Sequence, residues 1–466
     1  MSAVSDSFAP TFKLTDPTTV VILGAARSGL AAALFLKTKG FTVYLSDAGT
    51  ISEETQAILK AEQIAFEHQG HSEAFLTQAR FMVASPGIPL TAKPYVWAKQ
   101  QGIPVVSEIE LSWQFLQQMA SPPRLIAVTG SNGKSTVVSL ITALLAQAGY
   151  GVKACGNIGV PFIQCVAEHE QRPFDFLVLE ISSFQLETTY TLKPHIAVLL
   201  NLYENHLDRH GEMEIYFALK SRLFRHQRVG DVAVLSQDNA WCQTLQRTLT
   251  AKSEGPECLG FSVDSRVQQH QLMYAKRSLM PLEAVCLQGQ HNLENIAAVL
   301  TLMETLDIAP EVVKSTLRHF QGMPHRLEPV GQWQGRSFIN DSKSTNYLAA
   351  EKALLSMTQP VVWIAGGQDK GGDFSALAQL VHEKVKHVVL MGACREIFAE
   401  RLRESGYTHV SQVEGMAAAI DKALAYTVSG DVVLLSPATA SYDAYANFEA
   451  RGDDFRDHVA QLVSKV

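Results

Sequence analysis

Short apolar runs alternate with amphipathic stretches along nearly the whole chain. Residues 20–23 form an unbroken apolar run that meets Gly24, residues 29–39 carry helical spacing up to Gly40, and a second apolar run follows at 41–45. This reads as one βαβ unit. The pattern recurs with strands at 125–128, 176–179, 195–200 and 231–235, and then with helices at 292–306 and just before Gly322. Further strands are predicted at 361–365, 387–391 and 432–435. Strands separated by helices imply an α/β class with mainly parallel sheets.

The pattern is interrupted at Ser121-Pro122-Pro123, where two prolines stop helix and sheet alike, and again near Gly322-Met323-Pro324. A chain of 466 residues favours about three domains of ~150 residues each. The expected boundaries are therefore 1–121, 122–322 and 323–466, the first and last doubly wound and Rossmann-like.

Composition narrows the function. Hydrophobic content of 47% and charged content of 18% are those of an ordinary globular protein. A net charge of -7 argues against a nucleic-acid or anionic-membrane partner, which would need a basic face. The six cysteines form no CxxC or CxxH spacing, and no fixed-period repeat is present. No apolar run reaches the roughly 18 residues of a membrane span, and residues 1–16 lack the apolar stretch of a signal peptide, so a cytoplasmic location is expected.

Thr129-Gly130-Ser131-Asn132-Gly133-Lys134-Ser135-Thr136 follows a predicted strand and opens a predicted helix at 135–147, the context of a phosphate-binding loop. Gly130 and Gly133 let backbone N–H groups turn onto phosphate, Lys134 can bridge the outer phosphates, and Ser135 or Thr136 can hold magnesium. Val128 stands where the general nucleotide-loop pattern wants its first glycine, so this is a shortened variant.

Other candidates cluster at strand ends. Glu180 precedes Ser182 and Ser183 directly after residues 176–179, where a carboxylate can hold magnesium; a surface glutamate is the alternative. His206, in Asn205-His206-Leu207-Asp208-Arg209-His210, is either a second metal ligand or a solvated loop histidine. Lys220 is surrounded by apolar residues in Tyr216-Phe217-Ala218-Leu219-Lys220, so its amine is either desolvated or snorkels outward. In the first domain Gly24-Ala25-Ala26-Arg27-Ser28-Gly29 lacks the middle glycine of the dinucleotide fingerprint, which leaves another nucleotide or a bare scaffold. In the third domain Lys343, Lys370 and Ser441 stand in glycine- or hydroxyl-rich loops that can clamp carboxylates, or are solvated turns.

Taken in order, the short phosphate loop, Glu180-Ile181-Ser182-Ser183-Phe184-Gln185-Leu186-Glu187, Asn205-His206-Leu207-Asp208-Arg209-His210 and Gly289-Gln290-His291-Asn292-Leu293-Glu294-Asn295 resemble the Mur ligases of bacterial cell-wall synthesis. Pro324-His325-Arg326, Asn340-Asp341-Ser342-Lys343-Ser344-Thr345-Asn346 and Ser436-Pro437-Ala438-Thr439-Ala440-Ser441 look like the D-glutamate-adding branch.

The resemblance implies a UDP-binding domain, a central P-loop ATPase domain and an amino-acid-binding domain, with ATP and Mg2+ as cofactors. It also implies UDP-N-acetylmuramoyl-L-alanine and D-glutamate as substrates of a monomeric enzyme. Residue by residue, Gly130, Ser131, Asn132, Gly133, Lys134, Ser135, Thr136, Asn292, Asn295, Arg326 and Asp341 match the ATP site. Ser135, Glu180, His206 and a carbamylated Lys220 match the metal ligands; Lys134, Glu180, His206 and Lys220 are the catalytic set. Ser28, Asp47, Ser85, Asn157 and Ser182 match the UDP-substrate site. Lys343, Thr345, Lys370, Ser441, Tyr442 and Phe448 match the glutamate pocket. A plain triphosphatase would release phosphate without an amino acid, and a non-catalytic regulator would have lost Lys134, Glu180, His206 or Lys220, all of which are present.

Overall fold

The computed structural model describes residues 17–287, 289–369 and 374–464. The chain divides into two compact units, residues 1–320 and 321–466.

The first unit holds two parallel sheets. One contains β1 (Thr19–Leu23), β2 (Thr42–Ser46), β3 (Ala65–Glu67), β4 (Phe81–Ala84) and β5 (Val105–Ser107) in the order β3-β2-β1-β4-β5. The order reverses between β1 and β4, which puts a ligand crevice at the carboxyl ends of those two strands. The helix Arg27–Thr38 packs back so closely that a Cβ on Gly29 would lie 1.9 Å from the Gly24 carbonyl oxygen; only glycine fits there.

The second sheet contains β6 (Arg124–Thr129), β7 (Val152–Gly156), β8 (Phe176–Glu180), β9 (Ile196–Leu199), β10 (Val232–Ser236) and β11 (Glu257–Phe261) in the order β11-β10-β9-β6-β8-β7. Its central strands are buried on both faces: Leu125 and Ala127 face one core, Ile126 and Val128 the other. The register pairs Val128 with Glu180 and Thr129 with Leu199, so the loops after β6, β8 and β9 open at one end. A small antiparallel sheet, β12 (Val267–Gln268), β13 (Gln271–Tyr274) and β14 (Arg277–Pro281), lies off this framework.

One hydrophobic cluster runs from the first sheet into the second, from Val20 and Leu36 through Leu111 to Leu125 and Leu177. At that junction Glu108 is buried, and its Oε1 accepts from the Ile163 N–H at 2.6 Å, capping the start of the helix Phe162–Gln171. Burial outweighs these hydrogen bonds and pushes the Glu108 carboxyl up to about 7. Because the folded value lies above the ordinary 4.5, the stability linked to this group is full below pH 4.5 and is lost as pH rises through 7. At alkaline pH the loss is about 3 kcal/mol. Glu108→Gln is therefore expected to gain thermal stability over the natural chain as pH goes from 5.5 to 8.5; melting curves with an unchanging gap between the two proteins would refute this.

The second unit has a six-stranded sheet of β15 (Glu328–Trp333), β16 (Arg336–Asn340), β17 (Val361–Ala365), β18 (Val385–Leu390), β19 (Val410–Gln412) and β20 (Val432–Leu435), in the order β15-β16-β20-β17-β18-β19. It is parallel except for β15, which pairs antiparallel with β16 at one edge. Helices such as Tyr347–Ser356 and Phe448–Val463 cover its faces.

Candidate active site

β6 ends at Thr129, and the chain turns through Gly130–Gly133 into the helix Lys134–Gln147. Gly133 has φ +83°, and a Cβ on it would lie 2.1 Å from Asn295 Oδ1. Glycine there supplies the left-handed turn and lets the helix Gln290–Thr305 approach the loop. Asn295 is buried and its Nδ2 donates to Asn292 Oδ1 at 3.3 Å, so the structure brings both asparagines to the loop side of that helix.

The opposite side of the loop is held by residues that follow β9. Ser131 N–H donates to the Asn201 carbonyl at 3.0 Å and Asn132 N–H to Asn201 Oδ1 at 2.9 Å. Ser131 Oγ donates to the Tyr203 carbonyl at 3.0 Å and accepts from the Tyr203 N–H at 2.9 Å. Asn201 and Tyr203 escaped sequence reasoning, although their position at a strand end was a usable signal. The start of the helix carries the positive end of its dipole, next to Lys134, Ser135 and Thr136.

Two amines meet at this loop. Lys134 Nζ donates to the carbonyls of Gly130 at 2.9 Å and Ser131 at 3.0 Å. Lys220 Nζ donates to the same Gly130 oxygen at 3.0 Å and to Thr129 Oγ1 at 3.3 Å. Lys220 lies on the helix Met213–Ser221, is 1% exposed, and does not snorkel. Burial holds its amine well below the ordinary lysine value; the Lys134 charge acts in the same direction and Glu180 opposes it. Its amine also stands 4.8 Å from the centre of the Tyr216 ring.

Glu180 ends β8 and is buried. Its Oε1 accepts from Asn157 Nδ2 at 2.7 Å, while its Oε2 is buried with no hydrogen-bond donor. An orphaned carboxylate oxygen costs free energy unless a cation or donor completes it, and this one sits beside the phosphate loop. Asn157 thus serves first as a clamp on Glu180.

His206 adopts φ +56° as the N-cap of the short helix Leu207–His210, with its ring 4.8 Å from that of Phe184. Ser182 caps the helix Ser183–Leu186 through a reciprocal pair with Gln185, so its hydroxyl already has a structural task. Among the described residues no three His, Cys, Asp or Glu side chains converge, so a cation here would draw on few such groups and on hydroxyl or modified-lysine oxygens.

At the crevice of the first sheet, Ser85 follows β4 and its buried Oγ has no partner; a Cβ on Gly24 would come within 2.6 Å of it. Asp47, after β2, accepts from Ala25 N–H at 2.6 Å and Gly49 N–H at 2.7 Å, so it organises the Gly24 turn. Ser28 lies in the first turn of the helix Arg27–Thr38 and is half-buried.

The second unit carries its own cleft of about 330 Å³, lined by Arg326, Asp341, Lys343, Ser344, Asn346 and Lys352 among others. Asp341 accepts from Ser344 Oγ at 2.6 Å and Ser436 Oγ at 2.8 Å, and burial lifts its carboxyl to about 6 against these bonds and the Arg326 charge. Lys343 Nζ lies 5.9 Å from the centre of the Phe448 ring. Thr345 is half-buried, Ser441 is buried, and Tyr442 is 69% exposed. Lys370 lies outside the described residues.

Arg451, absent from the sequence reading, is 1% exposed and ties these loops together. It donates to Ser342 Oγ at 3.0 Å and to the carbonyls of Ser342, Thr439 and Ala440 at 2.9, 3.1 and 3.2 Å.

Three family profiles match the chain: "Mur ligase MurD-like, N-terminal domain" over residues 18–107, "Mur ligase middle domain" over 128–303 and "Mur ligase, glutamate ligase domain" over 325–439. A UDP-N-acetylmuramoylalanine--D-glutamate ligase from Pelotomaculum thermopropionicum is 38% identical, with 95% of this chain and 97% of that protein covered. A protein of the same name from Nostoc sp. is 37% identical over the same shares. Among solved structures, the UDP-N-acetylmuramate-alanine ligase of Thermotoga maritima superposes with a TM-score of 0.54 at 17% identity, covering 96% of this chain and all of that one. MurF from Acinetobacter baumannii gives a TM-score of 0.51 at 17% identity, covering 96% and 93%. These two likenesses speak to the α/β fold alone; the three domain profiles and the near-full-length relatives go further, and by them the chain belongs to the Mur ligase family.

Proposed function

We propose that this chain is an ATP-dependent acid–amino-acid ligase that adds D-glutamate to UDP-N-acetylmuramoyl-L-alanine, a monomeric, cytoplasmic enzyme of peptidoglycan-precursor synthesis that releases ADP and phosphate. The observation that carries the reading is local: two lysine amines converge on the Gly130 carbonyl beside the orphaned Oε2 of Glu180. Relatives bearing that ligase name across almost the whole chain support the choice of substrates.

A carboxylate is a poor electrophile and must be activated before an amine can attack it. The γ-phosphoryl of ATP passes to the alanyl carboxylate, a C(O)–O–P linkage forms, and ADP leaves. The glutamate amine then attacks the acyl carbon, phosphate departs with the C–O bond pair, and the amine loses a proton. The loop Gly130–Thr136 cradles the phosphates and Lys134 neutralises the transferred group, while Asn292, Asn295, Arg326 and Asp341 hold the rest of the nucleotide. Ser135, Glu180, His206 and a carbamylated Lys220 would hold Mg2+. That ion, when bound, neutralises negative charge on the phosphates. Ser28, Asp47, Ser85, Asn157 and Ser182 place the UDP substrate; Lys343, Thr345, Lys370, Ser441, Tyr442 and Phe448 take glutamate.

Phosphate release measured with ATP, Mg2+, UDP-N-acetylmuramoyl-L-alanine and D-glutamate tests the reading. Release that requires both acceptor and D-glutamate, and that falls when L-glutamate replaces it, is expected. Release indifferent to the amino acid would leave only a triphosphatase.

A further inference from the structure

Arg209 ties together three segments that the reaction needs in register. Its guanidinium grips Glu187 with Nε and Nη2, and both partners are largely buried, with side-chain exposures of 15% and 6%. The remaining donors reach out of the second sheet's domain: Nη2 donates to the Ile88 carbonyl at 3.0 Å and Nη1 to the Gly87 carbonyl at 3.4 Å. Gly87 and Ile88 belong to the turn that begins at Ser85, whose hydroxyl is the orphaned donor of the first-sheet crevice. The Ile88 N–H donates to the Ser85 carbonyl at 3.1 Å, so the turn is closed by its own hydrogen bond. A Cβ on Gly24 would stand 3.7 Å from Ile88 Cδ1, which places the same turn against the Gly24 loop.

On its other side the guanidinium lies 4.4 Å from the centre of the Phe184 ring, and Phe184 in turn packs 4.8 Å from the His206 ring. Arg209 also sits in the single helical turn Leu207–His210 that His206 caps in a left-handed conformation. That turn is anchored further by His210, whose Nε2 is 2.9 Å from Ser183 Oγ. A displacement of the Ser85–Ile88 turn therefore reaches His206 along two short routes, through the helix and through Phe184.

We propose, resting on the ligase reading above, that Arg209 is a positioning residue that couples occupancy of the first-sheet crevice by the UDP substrate to the placement of His206 at the nucleotide site. The geometry asks for arginine. A fork that spans two carboxylate oxygens while still reaching two carbonyls needs several fixed N–H directions, whereas a lysine ammonium is one point charge. Energetic linkage of this kind is reciprocal: if the substrate tightens nucleotide binding by some factor, nucleotide tightens substrate binding by the same factor.

Calorimetric titration of the full chain tests it, with UDP-N-acetylmuramoyl-L-alanine and the magnesium complex of a non-hydrolysable β,γ-imido ATP analogue, each alone and each in the presence of the other. The natural chain is expected to show mutual tightening of roughly fivefold or more. Arg209→Lys, which keeps the charge opposite Glu187, should bind each ligand alone within about threefold of the natural chain but lose the mutual effect. Phe184→Leu leaves the Arg209–carbonyl bonds in place and cuts the ring-mediated one of the two routes to His206, so it should shrink the mutual effect below that of the natural chain, and it decides the matter should Arg209→Lys fold poorly. Retention of natural coupling in Phe184→Leu, or in a well-folded Arg209→Lys, overturns the proposal, and so does a natural chain that binds both ligands independently. Loss of stand-alone affinity in both variants also overturns it and leaves Arg209 as plain domain glue. A natural chain that binds neither ligand strikes the ligase reading instead.

Discussion

Lys220→Met is expected to lower glutamate-dependent phosphate release about a thousandfold or more, which corresponds to roughly 4 kcal/mol of barrier. Short carboxylic acids should restore part of the lost rate. A charged ammonium is poorly placed here: it is 1% exposed, donates to two neutral oxygens, and shares one of them with the Lys134 ammonium. These conditions keep the amine neutral well below the ordinary lysine value. A neutral amine attacks carbon dioxide, forming an N–C bond and shedding a proton, and so turns a buried repulsive group into an anion that faces Lys134.

Stability gives a second readout. Between the lowered folded value and the ordinary 10.5, the unfolded chain binds a proton that the folded chain does not, so the Lys220 contribution to stability rises with pH across that window. Methionine, of similar length and apolar, removes that cost; the melting temperature should hold or rise while activity collapses. Full activity in Lys220→Met would end the catalytic role. A loss that no carboxylic acid relieves would end the carbamate alone.

Nine strands of the parallel sheets, β1, β2, β6, β8, β9, β10, β17, β18 and β20, were legible because they are short apolar runs bounded by glycine or proline and separated by helical spacing, and Val361–Ala365 and Val432–Leu435 agree at both ends; β3, β4, β5, β7, β11, β16 and β19 went unread. So did the antiparallel pieces. β12 to β14 are short and half-exposed, with apolar runs of at most three residues and with Ala275 and Lys276 at positive φ in their turn, and β15 contains Pro329 and Gly331 at a sheet edge. Site residues at strand ends, such as Glu180, could be read because an isolated carboxylate after a buried strand stands out. Arg451 could not: its partners Ser342 and Thr439 lie 109 and 12 residues away, and an arginine within a helical pattern looks like a solvated one until the fold buries it. Asp47 was visible as a strand-end carboxylate, but the two amides it accepts come from turns whose conformation only the assembled sheet fixes.

Lys134→Met is expected to reduce phosphate release by a similar factor of about a thousand while UDP-substrate affinity stays within a few fold, because Ser28, Asp47 and Ser85, which would hold the UDP end, lie at the other sheet. The ammonium is held ready inside the loop by the Gly130 and Ser131 carbonyls, and moving onto phosphate exchanges two neutral acceptors for charged ones. Arginine should not substitute, since its planar fork is too large for a pocket that holds a point charge between two adjacent carbonyls. The variant also probes the neighbour. Lys134 is one of the charges that hold the Lys220 amine down, so its removal should let Lys220 keep its proton to higher pH. The lost positive charge would also have favoured the carbamate, which acts in the same direction. With 13C-labelled carbon dioxide, the pH midpoint at which a carbamate resonance grows in should therefore move upward in Lys134→Met relative to the natural chain. An unchanged midpoint would show that the two lysines, although they share one carbonyl oxygen, do not sense each other's charge.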